Sequence, residues 1–188
     1  TPFKVYPADV FVLAAGAWTA QIANIPPDAL PPVRPMKGEM LALQPPNADA
    51  LPKSLVWGNG IYLVPRNGRL FVGATLEDVG FDTSLTKAAK EFLLDRAYTL
   101  MPALREWDIT EHWAGLRPGS PDGLPILGQT SLSGLYAATG QFRNGILLAP
   151  AIADALNCLI LNKPPQDYVA SFNPSRFAQV NAAETTGK

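Results

Sequence analysis

Residues 140–145 read GQFRNG, two glycines bracketing four residues that include a basic Arg143. The spacing is that of a triphosphate-cradling loop, but Ile146 and Leu147 stand where such a loop needs Lys and Ser/Thr. What remains is a turn entering an apolar helix, whose first N–H groups and partial positive charge suit an anion. Arg143 inside that turn reads equally as an ordinary loop arginine. Arg117, in the string GLRP, is a second cation, placed where a strand ends. A guanidinium grips a carboxylate through two parallel hydrogen bonds in fixed orientation, although a surface arginine also commonly ends a strand. Tyr62 offers a phenol that donates a further bond to such a group, or fills a sheet face as a cross-strand aromatic.

The rest of the chemical inventory is thin. A single cysteine, Cys158, excludes an internal disulfide and any cysteine-based zinc site, and a single histidine, His112, argues against a histidine triad or a multi-histidine metal site. No metal is expected. The chain has 188 residues with a net charge of −1, and its charges are scattered singly, so no basic stripe exists to bind nucleic acid. It is 47% apolar and 16% charged, which predicts a sizeable core. No apolar run approaches the length of a membrane span and no signal peptide is evident. A cytoplasmic location is the expectation.

The elements that must position these residues follow from periodicity. ADVFVLAAGAW (8–18) is a continuous apolar run ending near Gly16, read as a buried parallel strand covered on both faces. A proline-rich crossing loop spans residues 25–35, and KGEMLALQP (37–45) reads as a strand. In GIYLVPRNGRLFVGAT (60–75), two β-rich runs flank Asn67-Gly68, the favoured pair for a two-residue hairpin turn. That register sets Tyr62 opposite Gly73 and Val64 opposite Phe71, and leaves the face beside Tyr62 open. Thr86 caps a helix from Lys87 that Pro102 ends. ITEHWAGLRP (109–118) is a strand with Trp113, Gly115 and Arg117 on one face and His112, read as structural, on the other. GLYAAT (134–139) is a short buried strand. GILLAPAIADALNCLIL (145–161) is an apolar helix with Cys158 among its core residues. Asp122, in SPDG, is a turn residue whose position beside Arg117 leaves an electrostatic role open.

VLAAGAW (12–18), YLVPR with GRLFVGAT (62–75), GLRPGSPDGLPILG (115–128) and GQFRNGILLAPA (140–151) occur in an order that resembles one family. It is the D-amino-acid oxidase/glycine oxidase family of FAD-dependent oxidoreductases, with the glycine oxidases of thiamine biosynthesis the nearest branch. The likeness runs from about residue 8 to 177 and covers the carboxyl half of such enzymes. It implies an α/β fold with an α+β insertion: the carboxyl half of a Rossmann-like FAD-binding domain plus an antiparallel-sheet substrate domain. The expected division is 1–34 as an FAD-domain segment, 35–112 as the substrate domain, 113–177 as the return to the FAD domain, and 178–188 as a flexible tail. Family members open with a GxGxxG turn that holds the FAD pyrophosphate. The nearest string here, GNGIYL (58–63), lacks the third glycine and runs into a strand.

By that resemblance Arg117 anchors the substrate carboxylate, Tyr62 donates a second bond to it, and Arg143 lies near the substrate. Ala15, Gly16, Trp18, Gly115 and the run Gly140, Gln141, Phe142, Arg143, Asn144, Gly145, Ile146, Leu147 would meet the cofactor. Gln141 departs from the family's usual histidine, which removes any role for an imidazole charge. Relatives that attach flavin covalently do so through a cysteine near GLRP, so FAD is expected here without a covalent bond. The implied reaction is oxidative deamination of glycine or another small amine or D-amino acid, giving imine and then oxo acid, ammonia and hydrogen peroxide. A dehydrogenase passing electrons to a quinone is the alternative enzyme, and a non-catalytic structural module the alternative class. The chain begins inside an apolar strand without a methionine, which suggests the second half of a longer flavoenzyme. Its GxGxxG half would then lie on the same or a second polypeptide, this chain alone would be inactive, and a homo-oligomer is expected.

Overall fold

The computed structural model describes residues 6–177, so the tail expected at 178–188 lies outside the described residues. The chain divides into two compact units, one built from the segments up to Pro35 and from Arg117 onward, the other from Met36–Leu116.

The Met36–Leu116 unit is a five-stranded sheet in the order β3-β4-β5-β2-β6. Its strands are β2 (Arg34–Gln44), β3 (Val56–Gly58), β4 (Ile61–Arg66), β5 (Arg69–Gly73) and β6 (Asp108–Gly119). Asn67 and Gly68 both take positive φ, 52° and 74°, the mirror-image turn that matches strand twist. The hairpin register follows as expected, Tyr62 facing Gly73, Val64 facing Phe71 and Arg66 facing Arg69. Alternation sends Leu41, Leu43, Ile61, Leu63, Leu70 and Val72 to one face, where all are fully buried. The helix α1 (Lys87–Leu100) covers that face with Leu93 and Ala97. Its start is set by Thr86, whose Oγ1 accepts the Ala89 N–H at 3.1 Å.

A buried ionic cluster joins this sheet to the start of α1. Glu39 is fully buried on β2, its carboxylate accepting from Lys37 Nζ at 2.9 Å and from the Thr86 hydroxyl at 3.1 Å. His112 Nε2 approaches the second carboxylate oxygen at 2.6 Å. Burial pushes the Glu39 carboxyl up, but hydrogen bonds from Lys37, Thr86 and His112 outweigh it and hold it below the ordinary range. The bond to Glu39 raises the Lys37 ammonium against its own desolvation. His112 thus has a structural place.

The other unit holds a three-stranded sheet, β1-β8-β7, with β1 (Phe11–Leu13) parallel to β8 (Leu135–Thr139) and β7 (Ile126–Gln129) antiparallel to it. The expected strand over 8–18 is corrected here. Only three residues are strand, and Gly16–Gln21 winds into a 3-10 helix after Gly16 adopts φ 56°. Among the described residues β1 pairs with β8, and Phe11 and Val12 are 53% and 40% exposed. The helix α2 (Gly145–Ile160) follows β8 and buries Ala155 with Leu127 and Val169, while Cys158 is half-buried rather than central. Among the described residues no helix is long and apolar enough to cross a membrane.

Candidate active site

The parallel strands β1 and β8 both end in glycine turns, and open α/β sheets bind ligands at the carboxyl ends of parallel strands. Gly16 O accepts from Thr19 Oγ1 at 2.7 Å and from Thr139 Oγ1 at 3.3 Å. Gly16 and Thr19 are thereby tied to Thr139, the residue preceding Gly140, and Ala15 and Trp18 belong to the same turn through the Trp18 N–H to Ala15 O bond at 3.1 Å. Gly140 adopts φ 75°, and a Cβ there would lie 3.0 Å from Ile126 Cγ1 and 3.4 Å from Leu124 O. A side chain here would be strained at this φ and would press on Ile126 of β7. The turn continues through Phe142, also at positive φ, whose N–H donates to Pro118 O at 3.1 Å. That bond fixes the Gln141–Asn144 turn against the strand end carrying Arg117, which is half-buried.

Beyond the turn, α2 begins at Gly145 without a side-chain cap from Asn144. Its first N–H groups have no partner within the helix. Ile146 and Leu147, in the first turn, are 95% and 79% exposed. Uncapped donors next to exposed apolar side chains suit a flat ring whose edge accepts hydrogen bonds. Arg143 is exposed, with its guanidinium 5.4 Å from the Phe142 ring centre.

The loop between Arg117 and β7 is clamped by a residue the sequence reading missed. Arg176 binds both carboxylate oxygens of Asp122, at 2.8 and 3.2 Å, and donates to the carbonyls of Pro125 at 2.9 Å and Phe172 at 2.7 Å. Asp122 also accepts the Leu124 N–H at 3.1 Å, and Arg176 holds its carboxyl down at about 2. The electrostatic partner of Asp122 in this loop is therefore Arg176. Arg176 Nη2 also donates to Leu124 O at 3.3 Å, an atom that lies with Ile126 beside Gly140.

Tyr62 and Gly115 belong to the sheet of the other unit. Tyr62 lies on the face opposite the helix-covered core, with Phe71 and Trp113 meeting edge to face at 5.8 Å between ring centres on the same side. A side chain at Gly115 would meet nothing within 4 Å among the described residues. The face beside Tyr62 is not left open as expected, because the phenol ring itself lies over Gly73. The string GNGIYL is the β3–β4 hairpin, with Gly58 paired to Ile61.

The model of the DAO family, FAD-dependent oxidoreductases, matches residues 2–159. The chain belongs to that family. This FAD-dependent oxidoreductase chain is 42% identical to the bifunctional protein ThiO/ThiG of Synechocystis sp., over 92% of its own length and 26% of that protein. It is 41% identical to the glycine oxidase of Pseudomonas aeruginosa, over 89% of its length and 46% of that enzyme. The crystal structure of glycine oxidase from Geobacillus kaustophilus superposes with a TM-score of 0.83 at 34% identity, covering 91% of this chain and 46% of the other. The oxidoreductase chain thus spans about half the length, or less, of the relatives it matches. Its fold is the mixed α/β fold of the glycine oxidases, with an antiparallel sheet, and its cofactor is FAD. The uncapped start of α2 and the exposed Ile146 and Leu147 suit contact with the ring end of such a cofactor, while Gly140 seats the turn against β7.

Proposed function

We propose that the protein containing this chain oxidises glycine or another small amine or D-amino acid. The observation that carries the reading is the seating of the Gln141–Asn144 turn and the uncapped start of α2 against the strand end that bears Arg117. The similarity to glycine oxidases supplies the substrate class.

In this reading Arg117 binds the substrate carboxylate as a bidentate partner, and Tyr62 donates a further hydrogen bond to it. Orientation matters because the Cα–H must face its acceptor for transfer, and holding it there removes much of the entropic barrier. When bound, FAD supplies a non-covalently held two-electron acceptor for that hydride. The N-terminus of α2 stabilises negative charge that develops on the ring side of the site. Ala15, Gly16 and Trp18 line the strand-end turn beside it, and Gly115 leaves room for a flat ring. Arg143 adds positive charge near the substrate. The amine reacts in its neutral form, so no side chain need act as a general base. The imine then hydrolyses to oxo acid and ammonia, and reoxidation by dioxygen yields hydrogen peroxide. The dinucleotide end of FAD is held by a GxGxxG segment outside these residues, and this chain alone is inactive.

The test is anaerobic mixing of the full-length, FAD-loaded protein with glycine, followed by admission of air. Loss of the flavin's visible absorbance, then its return with stoichiometric peroxide, is expected. Bleaching that is reversed by a quinone-like dye but not by oxygen would make the protein a dehydrogenase. An absorbance unmoved by glycine, sarcosine and D-alanine would remove the proposed substrate class.

A further inference from the structure

The strand register aligns one residue from each of four adjacent strands: Trp57 on β3, Tyr62 on β4, Gly73 on β5 and Met40 on β2. Direct antiparallel partners project to the same face, so these side chains form a single row on the face opposite the core. The row has one gap, at Gly73, and Tyr62 fills it. A Cβ on Gly73 would stand 2.8 Å from the Tyr62 hydroxyl oxygen and 2.9 Å from both Tyr62 Cε2 and Met40 Cε. The phenol therefore lies flat across β5, with its hydroxyl over the far edge, 3.7 Å from Met40 Sδ. On the other side the Trp57 ring stacks on Tyr62 at 6.3 Å between centres and 29° between planes, although Trp57 is 68% exposed.

We propose that Gly73 and Met40 are positioning residues that hold the Tyr62 hydroxyl for an incoming carboxylate. This rests on the reading of Tyr62 as a carboxylate donor. Gly73 is the seat: a Cβ there would push the phenol or the Met40 methyl aside. Met40 is a deliberately poor partner. A thioether sulfur accepts only weakly, so the phenol is oriented without being satisfied. A carboxylate oxygen, which forms a charge-assisted bond about twice as strong as a neutral one, displaces the sulfur at little cost. An amide or carboxylate at position 40 would compete for the same proton.

Acetate, a carboxylate with no amine to oxidise, is titrated against the flavin absorbance of the full-length, FAD-loaded protein. Tyr62→Phe is expected to weaken acetate by about tenfold or more, the loss of one hydrogen bond to a charged group. Gly73→Ala should weaken it by a similar factor, with KM for glycine rising and kcat nearly unchanged. Placed in the Tyr62→Phe background, Gly73→Ala should cost nothing further. Met40→Gln, which competes for the phenol proton, should weaken acetate, and Met40→Leu, which keeps the bulk but removes the orienting sulfur, should weaken it by a smaller factor. A folded Gly73→Ala protein with unchanged acetate affinity, or one whose penalty persists in full without the Tyr62 hydroxyl, would overturn the proposal. Where Gly73→Ala does not fold, Met40→Gln decides, and unchanged acetate affinity there overturns it. A silent Tyr62→Phe variant would remove the carboxylate role of Tyr62 and this proposal together, whereas a sensitive Tyr62 with a silent Gly73 removes the positioning role alone.

Discussion

Replacing Arg176 with methionine removes a guanidinium while keeping an apolar stem, and the structure gives the size of the loss. Asp122 moves from 3.8 to about 2, chiefly through its bond to Arg176. At about 1.4 kcal/mol per pKa unit this would be worth at most about 2.5 kcal/mol. The Asp122 side chain retains 34% of its exposure, so solvent screening reduces the charge contribution to about 1–2 kcal/mol. The donations to the Phe172 and Pro125 carbonyls add about 1 kcal/mol in net terms. Arg176→Met should therefore lower stability by about 2–3 kcal/mol at pH 7, read as a shift in the urea midpoint. The pH dependence has a definite sign. A carboxyl depressed in the folded state stabilises it above the unfolded value and loses that contribution as pH falls through the folded value. The gap between parent and variant should thus be full above about pH 4 and narrow between about pH 4 and 2, without vanishing, because the carbonyl bonds carry no charge dependence on the acceptor side. Equal midpoints at pH 7, or a gap that stays constant down to pH 3, would refute this account of the clamp.

Glu39→Gln leaves the Lys37 ammonium buried with Glu77, at 3.7 Å, and the more weakly coupled Asp82 as counter-charges, and should cost about 3–5 kcal/mol in urea unfolding. The double variant Lys37→Met with Glu39→Gln should recover much of that loss. If it unfolds as readily as the single variant, ion pairing is not the source. Gly140→Ala forces a left-handed alanine against Ile126, and the backbone and overpacking penalties together come to about 2–4 kcal/mol. Its melting temperature should fall and FAD should be lost more readily on gel filtration. Parent-like melting and retention would contradict the seat described for Gly140.

The parts of this structure that were legible in the sequence are those governed by neighbours along the chain. Asn67-Gly68 sets its own turn and hence the register of β4 and β5, and Thr86 caps a helix one residue away. The run 145–161 announces α2 by composition, and the glycine turn before it was readable because the spacing of 140–145 is local. What escaped depends on partners distant in sequence. The strand β7 is only four residues long, and its pairing with β8 decides it. Arg176 lies 54 residues from Asp122, with nothing in either segment to couple them. The apolar run at 8–18 looked like one long strand because periodicity does not reveal that Gly16 turns the chain. The pairing of Tyr62 with Gly73 follows from the turn, but that the phenol ring occupies the gap at Gly73 is a matter of rotamer and packing, which register alone does not determine. For the site, the charged and aromatic residue types pointed to carboxylate chemistry. Their assignment to an amine substrate came from the family likeness.

The most direct test of the proposed site is the kinetics of Arg117→Ala in the full-length, FAD-loaded protein, with peroxide formation followed across glycine concentration. Losing a charge-assisted carboxylate contact should lower kcat/KM by an amount equivalent to about 2–5 kcal/mol, with a large rise in KM, while the flavin spectrum and bound FAD stay as in the parent. Glycine turnover with the KM and kcat/KM of the parent would contradict the assignment of Arg117 as the carboxylate anchor.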